Sequence, residues 1–144
     1  MGCGSSDDNV EVIDSTQLPV SLELRNASFD IKSNFMRGED IEFILEIRNN
    51  TEESMTMVFD CSTTFDLFIL NAENTEMWRW SDDNPNCDLV LTSIVLDPGE
   101  TYSISEKWDQ RISSAGDILS VGNYKAIGSF LDQSTNVETA FVVF

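Results

Sequence analysis

Apolar and polar side chains alternate with a period of two along most of the chain from Leu18 onward, and this spacing decides the fold class. Val20, Leu22 and Leu24 alternate with Ser21, Glu23 and Arg25. Ile41, Phe43, Leu45 and Ile47 alternate with Glu42, Ile44, Glu46 and Arg48, up to the turn signal Asn49-Asn50-Thr51. Met55, Met57 and Phe59 share one face of the next segment. Further strands are expected at Phe65–Leu70, Met77–Trp80, Leu89–Leu96, Thr101–Trp108, Tyr124–Leu131 and Val137–Phe144, with a short piece at Phe29–Ile31. In Asp97-Pro98-Gly99-Glu100 the proline and glycine preset the dihedrals of a turn. No stretch carries three helical turns of apolar stripe; a short helical turn is expected between Gln110 and Leu119. Short strands at regular spacing imply an all-β fold, an antiparallel β-sandwich of about seven to nine strands. The apolar faces of its two sheets would pack about 10 Å apart.

A chain of 144 residues is long enough for one such domain with its own core. The expected division is a flexible tether at 1–17 followed by a single sandwich at 18–144. The 26 acidic and 8 basic residues give a net charge of −18. Nucleic-acid affinity rests on Lys and Arg neutralising phosphates, so that class of partner is excluded. Electrostatic docking on an anionic membrane is excluded on the same ground. There is no His. That removes Ser-His-Asp and Cys-His catalysis and His-ligated zinc. No pair of carboxylates stands out for acid–base work, so neither an enzyme nor a cofactor is expected.

The start, Met1-Gly2-Cys3-Gly4-Ser5-Ser6-Asp7-Asp8, has two modification readings besides that of a plain tail. It resembles the mature start of a lipoprotein, with Cys3 lipid-modified, which implies an extracytoplasmic, membrane-anchored protein. It also fits myristoylation of Gly2 with palmitoylation of Cys3, and a cytoplasmic location is the alternative. The apolar segment Val10–Ile13 suits strand exchange with a second copy. Cys61 and Cys87 each sit beside an expected strand end. They are read either as a disulfide, with Cys3 left over for lipid, or as two buried thiols. Asp82, Asn84, Asn86 and Asp88 alternate in an acidic loop. The loop lacks the central Gly and distal Glu of an EF-hand and is read as solvated, with no metal assigned. Asn26 and Asn49 head sequons and are read as surface positions.

One block is more specific. Phe65-Asp66-Leu67-Phe68-Ile69-Leu70, a turn at 71–76, then Met77-Trp78-Arg79-Trp80-Ser81 resembles the core motif of the BsuPI-type intracellular proteinase inhibitor family. Leu96-Asp97-Pro98-Gly99-Glu100, Trp108-Asp109 and Gly122-Asn123-Tyr124 resemble that family's flanking signatures. The resemblance covers about residues 38 to 131. It implies an immunoglobulin-like sandwich and inhibition of a subtilisin-like serine protease. Trp78 and Trp80 would share a strand face turned to the core, with Arg79 opposite and free to pair with a carboxylate. The competing view makes these three an exposed hot spot. Candidate inhibitory loops are Cys61–Thr64, Ser81–Asp88 and the flexible segment Gln110–Gly122. The alternative function is a surface-displayed lipoprotein domain that binds another protein or a glycan, followed by a strand-exchanging structural subunit. The expected partner is a serine protease or another surface protein, with membrane contact only through Cys3.

Overall fold

The computed structural model describes residues 19–85, 87–131 and 136–144. Cys3, the segment Val10–Ile13 and the whole expected tether lie outside them. The elements run β1 (Val20–Arg25), β2 (Asn34–Phe35), β3 (Ile41–Arg48), β4 (Met55–Phe59), β5 (Phe65–Asn71), β6 (Glu76–Arg79), α1 (Trp80–Asp83), β7 (Thr92–Leu96), β8 (Thr101–Trp108), β9 (Gly122–Phe130) and β10 (Asn136–Val143). They form a five-stranded sheet in the order β2-β10-β9-β5-β6, a three-stranded sheet β1-β3-β8 and a two-stranded ribbon β4-β7. All pairings are antiparallel except the two-residue β2, which joins β10 in parallel.

The alternating pattern becomes the core. Ile41, Phe43, Leu45 and Ile47 of β3 are at most 1% exposed and face Leu67 and Ile69 of β5 and Phe130 of β9 within one apolar cluster. Met55, Met57, Phe59 and Leu96 bring the ribbon into the same core. At the opposite side, Thr139 Oγ1 donates to the Leu22 carbonyl (2.7 Å) and ties β10 to the other sheet's edge strand β1. At Gly128 the sheets come so close that a Cβ there would meet Leu45 Cδ1 at 2.8 Å.

Buried polar groups fix the connections. The Asn49 side chain is fully buried and donates to the carbonyls of Glu53 (2.7 Å) and Leu96 (2.8 Å). Its backbone accepts from Gly99 N (2.7 Å), in the Asp97–Glu100 turn where Gly99 has φ +86°. Asn49 is therefore not a surface sequon. Gln110, also fully buried, donates to the carbonyls of Met36 (2.9 Å) and Glu39 (2.8 Å) and accepts from Gly38 N (3.1 Å).

Three expected elements differ. Gln110–Leu119 holds no helix: Arg111 bridges Ile118, a turn lies at Ser113–Gly116, and Leu119 is buried. Gln110 and Leu119 thus pin this segment to the body. Of Phe29–Ile31 only Ile31 pairs, in an isolated antiparallel bridge to Arg25; Phe29, at φ +66°, closes a turn from Asn26, whose Oδ1 accepts from Ser28 N and Asp30 N. The strand expected from Leu89 starts only at Thr92. Its partner β4 ends at Phe59, opposite Thr92, so no ladder extends to Leu89.

Candidate functional site

The motif residues converge on Asp66. Its carboxylate sits in β5 at 7% residue exposure and accepts four hydrogen bonds. Oδ2 takes Arg79 Nη1 (2.9 Å) and Ser81 Oγ (2.8 Å); Oδ1 takes Leu67 N (2.9 Å) and Ser81 N (3.1 Å). Arg79 also pairs with Glu76 (2.6 Å) and lies 4.2 Å over the Phe68 ring. Hydrogen bonding to Glu76, and after it to Asp66, raises the Arg79 pKa against the lowering effect of burial, so its charge persists at every working pH. The spacing Asp66…Arg79-x-Ser81 is a latch across β5, β6 and α1.

Trp78 and Trp80 do not share a strand face, because β6 ends at Arg79 and Trp80 opens the helical turn α1. Trp78 is 8% exposed and stacks on Trp108, ring centroids 4.5 Å apart, with Phe43 beyond. Trp80 is half-buried against Phe65 at 4.5 Å. Phe65, Trp108 and Tyr124 are core residues, and Tyr124 donates to the Ser120 carbonyl (2.7 Å) just before Gly122. Pro98 and Gly99 form the turn that binds Asn49. Each of these residues has a structural place.

A cleft of about 640 Å³ lies beside the tryptophans, rimmed by Asp40, Asp83, Glu106 and Asp109. Its indole N–H groups are already taken within the chain: Trp78 by Asp83 (2.7 Å), Trp80 by Glu106 (3.0 Å) and Trp108 by the Arg111 carbonyl (2.9 Å). The three indoles are thus satisfied within the chain, while the rest of the lining is mostly polar, with Asp40, Asn84, Lys107, Asp109 and Ser114 among it.

The end of the β4–β7 ribbon at Phe59 and Thr92 differs from this cleft. Cys61 and Cys87 are placed with Cα atoms 5.5 Å apart and their sulfurs in contact; that separation is one a disulfide spans. Alongside, Ser62 N donates to the Asp88 carbonyl (2.9 Å) and Asp88 N to Ser62 Oγ (3.1 Å). Two candidate loops, Cys61–Thr64 and Ser81–Asp88, are therefore joined at Cys61–Cys87 and Ser62–Asp88. Directly after them Leu89, Val90 and Leu91 stand in solvent. Sequence patterning missed this trio by assigning it to a strand. The signal was there in the acidic, turn-prone residues before it, which offer no partner strand. Asp82 and Asp83 fall in α1, so the alternating acidic loop is not one extended segment.

The model of the BsuPI family, described as intracellular proteinase inhibitor, matches residues 29–135. This corrects the expectation of an extracytoplasmic lipoprotein, since the family is described as intracellular. A search of the curated proteins finds no match. Among solved structures, the chain is similar to a β-glucosidase from Erythrobacter marinus (12% identity, TM-score 0.48, covering 88% of this chain and 16% of that one). It is similar also to a β-glucosidase from Listeria innocua (9% identity, TM-score 0.47, 88% and 16%). The C-terminal domain of wzt gives 9% identity and a TM-score of 0.52 over 89% of this chain and 78% of that one. The chain spans about a sixth of the length of the glucosidases, 16% in each case. At 9% identity, the likeness to the wzt domain speaks for the fold alone. The Asp66–Arg79–Ser81 latch, the tryptophan stack and the Asp97–Glu100 turn all lie inside the matched 29–135 segment, and the chain belongs to the intracellular proteinase inhibitor family.

Proposed function

We propose that the protein is a non-catalytic inhibitor of subtilisin-like serine proteinases. The observation that carries this is the family match over 29–135, which takes in both the latched core and the joined loops. The absence of His removes the usual nucleophile–base pairs and supports a binding role over a catalytic one. A proteinase inhibitor works by presenting a pre-ordered surface to the enzyme's cleft, so that little ordering entropy is lost on binding. The pinned ends of the loops and the buried Asn49 and Gln110 supply that order.

The test is steady-state hydrolysis of a small peptide substrate by active-site-titrated subtilisin, with increasing amounts of the full chain. The expected result is competitive inhibition that saturates at one chain per enzyme. Unchanged hydrolysis, or progressive digestion of the chain with no inhibition, overturns the proposal.

A further inference from the structure

Leu89, Val90 and Leu91 are 93%, 60% and 70% exposed. Single apolar residues on a surface are ordinary, but three in succession are a binding surface or a liability. This trio is held at both ends. Upstream lie the Cys61–Cys87 contact and the paired Ser62–Asp88 hydrogen bonds. Downstream, Thr92 enters β7 opposite Phe59, and its Oγ1 donates to the Val90 carbonyl (3.2 Å). Val90 N donates to the Asp88 carbonyl (2.7 Å), which sets Leu89 at the apex of a three-residue turn.

We infer that residues 88–91 are the segment offered to the proteinase, with Leu89 entering its primary specificity pocket. This inference rests on the inhibitor function proposed above. The partner is a serine endoproteinase whose primary pocket is an apolar slot, because an apolar pocket gains by taking up a leucine and a carboxylate-lined one does not. The apolar surface continues from the loop onto the ribbon: Leu91 has the same strand parity as Val95, and Val95 (57% exposed) and Val58 (48%) point outward from β7 and β4. They extend the contact beyond the pocket. The other candidate segment, Gln110–Gly122, is ill suited, since Leu119 is fully buried and Gln110 is bonded to three backbone groups.

The experiment compares inhibition of subtilisin and of trypsin by the full chain and by the variants Leu89→Asp, Leu89→Arg and Val121→Asp. Val121 is 66% exposed at the end of the other segment and serves as the control. Because Leu89 is almost wholly solvent-exposed, its variants keep the melting temperature of the parent chain. The expected result is that Leu89→Asp weakens subtilisin inhibition about 30-fold or more, the size of an interface hot spot. Leu89→Arg shifts inhibition toward trypsin, and Val121→Asp changes nothing. If the parent chain inhibits and the Leu89 variants inhibit equally, this placement is overturned while the inhibitor function stands. If the parent chain inhibits neither enzyme, both fall.

Discussion

Asp66 and Arg79 decide how the end of β5, the strand β6 and the turn α1 hold together. Removing one partner of a buried ion pair leaves the other uncompensated, and this is more costly than the pair's net worth. Arg79 is part-exposed and keeps Glu76 as a second partner, so the cost falls at the low end. Asp66→Ala is expected to destabilise the protein by about 3 kcal/mol and to lower the melting temperature by on the order of 10 °C. Differential scanning calorimetry measures it; a change within about 0.5 kcal/mol, ordinary for a surface position, would remove the latch from the account. The sequence marked out Trp78, Arg79 and Trp80 as a motif, but not Asp66 as its hub. A polar residue in an alternating strand reads as solvent-facing, and nothing local reveals a partner 13 positions away. Asn49 and Gln110 were illegible for the same reason: their burial is set by carbonyls of other elements.

At the scale of elements, strands with a strict period of two were legible to within a residue or two. β3 and β8 run Ile41–Arg48 and Thr101–Trp108 as their patterns require. Segments without a paired neighbour were not. The apolar run from Leu89 has strand-like composition, yet its first three residues have no ladder to join, and so they remain exposed. Trp80 leaves the strand because Ser81 is drawn onto Asp66. The ribbon β4–β7 is closed at its far end by Cys61 and Cys87. Treated as a disulfide, that link contributes about 3–4 kcal/mol by restricting the unfolded chain. A thiol reductant, or the double variant Cys61→Ser/Cys87→Ser, is then expected to lower the melting temperature by on the order of 10 °C. An unchanged melting temperature, with free thiols found by mass spectrometry of air-oxidised protein, would show that the two are held close as thiols.

The whole chain has a net charge of −18, most of it on a sandwich whose core is almost entirely apolar, so the acids crowd the surface. Salt bridges to Arg and Lys are few among the described residues, and exposed ones are worth at most about 1 kcal/mol each. Raising sodium chloride shortens the screening length from about 10 Å at 0.1 M to about 3 Å at 1 M. Repulsion should weaken more than attraction, and the melting temperature is expected to rise across that range. A flat or falling curve would mean that the surface acids are locally compensated. The same surface surrounds the exposed segment 88–91, and the central claim is that a rigid sandwich delivers this segment to a proteinase. Amide hydrogen exchange of the full chain, alone and with subtilisin whose nucleophile has been replaced, tests that claim most directly. Slowed exchange is expected at residues 87–95 and along the facing strand β4, with the β3 and β9 core unchanged. Protection centred on Gln110–Gly122, or no protection anywhere, would contradict it.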